Sequence, residues 1–258
     1  MNYWVSRNLK TQNALANKSI QETEKQLIKY YRKAMATVIA DFEATYDKLL
    51  LTIGEGKQPT PADLYKLDKY WQAQNQMTRI LKGLGDKQVA LLNRQFTNTY
   101  LSIYNSLAIQ GEDFFNKIDE KMAQQMINQV WCADGKNWSS RVWGNVEKLQ
   151  ETLNEELIHC VVAGKKTSQL KQLLQERFNV SYSNADMLTR TEISHIQNQA
   201  AQQRYKDAGI QEVEIFADKD ERRCEVCGKL HKKKYPIGAA VPIPAHPNCR
   251  CSILPVIE

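Results

Sequence analysis

Several features that would define a class at once are missing from this 258-residue sequence. No run approaches the ~18 consecutive apolar residues of a membrane span, so we expect no membrane partner. No apolar secretion signal follows the opening MNYWVSRNLK, so we expect synthesis in a reducing cytoplasm. No GxxxxGKS/T loop occurs, so a packaging ATPase is not predicted. Six cysteines in 258 residues are too few for a disulfide scaffold.

Charge of either sign is also not concentrated in this chain. Lysine and arginine total 35 against 29 acidic residues, a net charge of +6. A dedicated DNA-binding protein usually gathers its basic residues on one surface. The run of three lysines after His231 can form a small patch for DNA or phosphate, but we favour a solvated loop. We therefore expect DNA binding to be weak, and we predict no small-molecule substrate.

The cysteines that are present form a pattern typical of a metal site. Two residues separate Cys224 from Cys227, two separate His246 from Cys249, and Cys251 follows, which gives C-x2-C-x18-H-x2-C-x-C. Two ligands in one tight turn can face the same ion, and a second pair about twenty residues on completes a tetrahedron. Because thiolates would fill the positions and leave none for water, we expect a closed, structural Zn²⁺ site.

This pattern offers five candidate ligands for four places. We favour Cys224, Cys227, His246 and Cys249, because they make two matched pairs. Cys251 can replace Cys249 or His246, since residues two apart in an extended segment face the same side. Two disulfides or unliganded thiols are the alternatives, and a reducing cytoplasm disfavours the disulfides.

The chain before this motif carries apolar stripes at helical spacing. They predict separate helices, each ended by glycine or a turn, over residues 19–53, 60–82, 89–107 and 115–130, with a break at Gly83-Leu-Gly85 and a turn at 133–137. Three more are predicted: from Ser139 to Ala163, a short helix to Phe178, and one from Ser183 to Gly209. Gly164 is the expected stop of the first of these.

The C-terminal part of the chain predicts strands instead of helices. Alternation at residues 212–215 predicts a half-buried strand, and residues 252–257 predict an edge strand that tolerates proline. The fold class is therefore α+β, a mostly helical body followed by a small antiparallel β unit stapled by one zinc. We place the domain boundaries at 1–133, 134–210 and 211–258. Metal binding should supply much of the folding energy of the small last unit.

One carboxylate falls on an apolar helix face. On a helical wheel Glu192 lies within the arc of buried positions, whereas Arg190 lies outside it. A buried carboxylate needs hydrogen-bond donors. We expect Arg190 and Glu192 to be structural anchors. Glu192 would lie at the junction with the zinc unit and accept hydrogen bonds from Arg222, Arg223, Arg250 or backbone amides of the cysteine turns. The alternative is a shifted register that leaves Glu192 in water at the rim.

The same part of the chain resembles a known family. The resemblance rests on Arg-Thr-Glu at 190–192, Tyr-x3-Gly-Ile at 205–210, the CxxC at 224–227 and HPNCRC at 246–251, in that order. Together they are similar to the head morphogenesis, or minor head, proteins of tailed phages, a family that includes the F protein of phage Mu. The resemblance covers roughly residues 138–256, and the first 130 residues match no motif.

The resemblance implies a function. Members are minor capsid proteins, structural components of the prohead and virion that associate with the portal. They act in head assembly and in DNA packaging or ejection. The resemblance therefore implies a non-enzymatic virion protein whose partners are the portal and other capsid or scaffold proteins. A zinc-containing nuclease or toxin-like enzyme, and a DNA-binding module, remain the alternatives.

Overall fold

Long helices account for most of this protein. The computed structural model describes residues 2–53, 59–108, 118–217, 220–221 and 223–257. The helices are α1 (Tyr3–Ile53), α2 (Pro61–Tyr65), α3 (Asp68–Ser106), α4 (Glu120–Ile127), α5 (Trp138–Val162), α6 (Thr167–Asp207) and α7 (Glu225–Leu230), and the strands are β1 (Glu212–Phe216), β2 (Lys234–Pro236) and β3 (Ser252–Pro255). The α+β prediction is confirmed. Among the described residues, no helix combines the length and apolarity that crossing a bilayer requires.

The chain divides into two compact units that alternate along the sequence. The first contains Met1–Glu24, Leu91–Trp138 and Met187–Glu258, and the second contains Lys25–Ala90 and Ser139–Asp186. Helices α1, α3 and α6 each contribute to both units. The three domains drawn from the sequence follow other boundaries and stay a prediction.

Helix α1 begins at Tyr3, well before the start near residue 19 that the apolar stripe predicts. The apolar stripe could not be recognised before residue 19 because two buried positions in this part of α1 are polar. Asn8 is fully buried and donates to the carbonyl oxygen of Ala108 over 2.9 Å, and Gln12 donates to the Tyr205 hydroxyl over 2.9 Å. Hydrogen-bonded polar groups can be buried at little net cost. The predicted stop at 54–56 lies outside the described residues.

The predicted break at Gly83 and Gly85 is wrong, since α3 continues through both. A Cβ atom on Gly85 would lie 2.4 Å from Cζ3 of Trp143, so this glycine makes room for an aromatic ring from α5. A Cβ atom on Gly83 would meet nothing within 4 Å. Position 85 is therefore a glycine because of helix packing, and not because the chain turns there.

Helix α6 also corrects a prediction. The two helices expected to meet between Phe178 and Ser183 are one, from Thr167 to Asp207. The Ser183 hydroxyl donates to the carbonyl oxygen of Asn179 over 3.0 Å, a bond that a serine inside a helix can make in place of capping one. The apolar face runs on through Phe178 and Ala185, both buried.

Other helix ends follow from local signals. Gly164 adopts φ +56° after α5, and the amide of Lys165 donates back to the Cys160 carbonyl over 2.9 Å, so the predicted stop is confirmed. Asp119 caps α4 by accepting from the amide of Met122 over 2.7 Å. The helix expected over 115–130 is shorter where described, since α4 covers 120–127, and residues 115–117 lie outside the described residues.

The three strands belong to the first unit and form an antiparallel sheet in the order β2-β1-β3. Val213 of β1 lies opposite Tyr235 of β2 and Pro255 of β3. The proline-containing edge strand is therefore confirmed, whereas β2 was not predicted. All four residues of β3 are buried. The sheet edge is thus covered by protein.

Candidate metal centre

The first pair of cysteines sits at the start of a short helix. Cys224 is the residue before α7, and its thiol accepts a hydrogen bond from the amide of Cys227 over 3.3 Å. This is the side-chain cap that a serine or aspartate usually provides. The cap turns both thiols toward the same side, with Cys224 partly exposed and Cys227 buried.

The second pair meets the first. Nε2 of His246 lies 3.2 Å from Sγ of Cys224 and 3.1 Å from Sγ of Cys227. Sγ of Cys227 is 3.8 Å from Sγ of Cys249. Cys224, Cys227 and His246 form one cluster, and Cys227, Cys249 and Cys251 form another, with ligand atoms in each within 4.8 Å of one another. The five residues lie close together and can hold a metal ion.

The imidazole of His246 is oriented for this purpose. Its Nδ1 lies 2.8 Å from the carbonyl oxygen of Pro247, which can only accept, so Nδ1 carries the proton and donates. That hydrogen bond raises the pKa of His246 and leaves Nε2 facing the thiols. A histidine that ligates a metal usually has its other ring nitrogen held in this way.

The thiols differ in how readily they ionise. The amide of Cys227 lowers the pKa of Cys224 by hydrogen bonding to its sulfur. The Cys251 thiol, by donating a hydrogen bond, lowers the pKa of Cys249 to about 5. The same hydrogen bond raises the pKa of Cys251, and burial raises that of Cys227 to about 12. Since the thiolate is the form that binds metal, each thiol that binds the ion gives up its proton on binding.

Helix α6 supports the second pair from behind. Asn198 is buried, donates to the carbonyl oxygen of Cys251 over 2.9 Å and accepts from the amide of Ile253 over 2.8 Å. Gln197 donates to the Ser252 hydroxyl over 2.8 Å. These contacts fix the register of β3 directly after the last cysteine. Neither amide side chain was predicted to have this role, because no motif near them in the sequence marks them.

Residues 190, 191 and 192 of α6 each contact a different segment of the first unit. Arg190 forms an ion pair with Glu24 of α1. The Thr191 hydroxyl accepts a hydrogen bond over 3.0 Å from the amide of Asn248, which stands between His246 and Cys249. Asn248 has φ +61°, so its conformation needs such support. Thr191 thus links α6 to the turn that carries His246 and Cys249, a role that the helical wheel did not reveal.

Glu192 is buried, as the wheel indicates, with 3% of its surface exposed. Its Oε2 accepts a hydrogen bond over 3.0 Å from the indole nitrogen of Trp131. The Trp131 ring stacks on His195, with centroids 4.3 Å apart, and burial lowers the pKa of His195 to about 4. Trp131 is not among the donors that the sequence predicted for Glu192.

The arginines expected as partners of Glu192 have other surroundings where they are described. Arg250 donates two hydrogen bonds of 2.7 Å to Asp220. Arg223 is exposed, with its guanidinium beside Gly228 of α7, and Arg222 lies outside the described residues. The roles of Arg190 and Glu192 as structural anchors stay a prediction.

Comparison with known proteins finds a likeness for part of this chain. Residues 151–254 match the family model described as Phage Mu protein F like protein. The match confirms the resemblance to phage head morphogenesis proteins over that stretch, which begins later than residue 138, the start estimated from the motifs. The matched stretch contains α6, β1, β2, all of β3 except Pro255, and all five candidate ligands. No curated protein matches the chain, and neither does any solved structure. The family supports a role as a phage head protein.

Proposed function

We propose that this protein is a minor head protein, a structural component of the prohead and virion located in the capsid interior or at the portal vertex. It acts in head assembly and in DNA packaging or ejection. The observation that carries the proposal is the family match over residues 151–254. Its partners in this proposal are the portal protein and other capsid or scaffold proteins.

Co-expression tests the portal association directly. The chain is produced with the portal protein encoded in the same phage genome, and the mixture is separated by size-exclusion chromatography. We expect the chain to elute with the portal ring and to elute later when produced alone. A chain that never migrates with the portal, or with heads assembled from the full set of head proteins, would contradict the proposal.

Within this function we propose that the cluster binds one structural Zn²⁺. Zinc–sulfur bonds of about 2.3 Å in a tetrahedron place two sulfurs about 3.8 Å apart. The separation of Cys227 and Cys249 is 3.8 Å. Soft thiolates with one imidazole are a donor set that favours zinc. The four ligands we propose are Cys224, Cys227, His246 and Cys249, with Cys251 donating its hydrogen bond to Cys249.

The metal in this proposal stabilises structure and does not perform chemistry. Cys227 and Cys249 are buried, and the second pair continues into the buried strand β3. Holding this turn against Thr191 of α6 is a mechanical task that a closed site performs. An assay of duplex DNA cleavage with added zinc and with chelator tests the alternative. Cleavage that disappears in Cys224→Ser would favour a nuclease.

A further inference from the structure

A groove in the second unit lies between helices α1 and α3, away from the cysteine cluster in sequence and in a different unit. It encloses a cavity of about 270 Å³. Its floor is apolar and consists of Ala34, Ile80 and Leu84, with the ring of Tyr30 at one side. Ala34 and Leu84 are buried, and Tyr30 and Ile80 pack against the same core. The floor is therefore fixed by the packing of the two helices.

Gly83 keeps this groove open. A Cβ atom at this position would meet nothing within 4 Å, although Gly83 lies inside α3 and lines the groove. Glycine inside a helix destabilises it relative to alanine. Gly85, two residues on, is required because a Cβ atom would overlap Trp143. Packing within this chain therefore explains why position 85 is a glycine, but it does not explain the glycine at position 83. The absence of a side chain on Gly83 leaves space in the groove.

The rim of the groove is cationic. Lys33 of α1 and both Arg79 and Lys87 of α3 line it and are exposed. No aspartate or glutamate is among the lining residues. Within the described part of the chain, none of the three cations takes part in an ion pair. Three unpaired cations around an apolar depression create a positive potential at one place.

We propose that this groove binds an acidic segment of a partner protein, with one apolar side chain of that segment inserted beside Gly83 and carboxylates on either side contacting Lys33, Arg79 and Lys87. The cavity has room for a side chain of the size of leucine. Apolar anchors in a pocket with charged contacts at the rim are the usual composition of a protein recognition site. Duplex DNA fits less well, because a phosphate gains nothing from an apolar floor.

Fluorescence anisotropy with a labelled peptide Glu-Glu-Leu-Glu-Glu tests the proposal on the full-length protein. We expect saturable binding at low ionic strength, weakened by added salt. We expect the peptide Gln-Gln-Leu-Gln-Gln, and the variant Lys33→Glu/Arg79→Glu, to bind about tenfold more weakly, the sum of several exposed charge contacts. Lys82→Glu is the control: it reverses one charge, against two in the double variant, at an exposed position of α3 that does not line the groove.

Gly83→Leu separates binding from folding. A Cβ atom at this position meets nothing within 4 Å and leucine improves helix propensity, so we expect the thermal midpoint not to fall. Because it fills the groove, we expect peptide binding to weaken about tenfold or more. Equal binding by wild type, Gly83→Leu and the double charge variant would overturn the proposal. So would binding of a duplex DNA of about 20 base pairs together with no saturable peptide binding.

Discussion

Two glycines two residues apart in α3 should respond in opposite ways to the same substitution. Alanine is favoured over glycine inside a helix by about 1 kcal/mol. A Cβ atom on Gly83 has no neighbour within 4 Å, so Gly83→Ala should raise the free energy of unfolding by roughly that amount. Gly83 therefore serves as the matched control for Gly85 on the same helix.

At Gly85 the gain is opposed by a steric overlap. A Cβ atom would lie 2.4, 2.8 and 3.0 Å from three ring atoms of Trp143, whereas carbon atoms in contact prefer about 3.5–4.0 Å. Overpacking of this kind typically costs about 1–3 kcal/mol. Gly85→Ala should therefore be about 1–3 kcal/mol less stable than Gly83→Ala.

Urea unfolding followed by circular dichroism measures this difference. A difference of 1 kcal/mol corresponds to about 2–4 °C in the thermal midpoint of a chain of this size. Replacing the indole ring by leucine, in Gly85→Ala/Trp143→Leu, should restore part of the lost free energy of unfolding, because the overlapping ring atoms are removed. Equal stabilities of Gly83→Ala and Gly85→Ala would refute the packing of α3 against α5 at this point.

Further substitutions probe the first unit and the cluster. Glu192→Ala should lower the free energy of unfolding by about 1–3 kcal/mol because the half-buried indole of Trp131 loses its acceptor, and Arg190→Ala, whose side chain is 41% exposed, should cost less in the same urea titration. Asn198→Ala should cost about 1–3 kcal/mol, since it leaves buried backbone groups of the last strand without partners; an unchanged unfolding midpoint would contradict its role. Cys249→Ser should lose more bound metal in elemental analysis than Cys251→Ser, and the reverse order would make Cys251 the fourth ligand.

What could be predicted from the sequence depended on how local the signal was. The two ligand pairs can be recognised in the sequence because each lies within one turn. The structure brings all five candidate ligands together. The stop at Gly164 and the strand at Glu212–Phe216 are likewise short-range features. Even the burial of Glu192 follows from helical periodicity alone.

The errors concern residues whose role is set by a distant partner. Gly85 signals a break until Trp143 is placed against it. Asn8 and Gln12 interrupt the apolar stripe of α1 because their hydrogen-bond partners lie far along the chain. The donor to Glu192 is Trp131, 61 residues away in sequence. Tertiary contacts decide such positions, and a single sequence does not record them.

Zinc content is the measurement that bears most directly on the role assigned to the cysteine cluster. The protein is purified under reducing conditions without chelator, and its zinc is measured by elemental analysis and native mass spectrometry. We predict about one zinc ion per chain in the wild type and in Cys132→Ser, whose thiol lies outside the cluster. Cys224→Ser and Cys227→Ser should contain none. Wild-type protein without metal, or variants that keep it, would contradict the account.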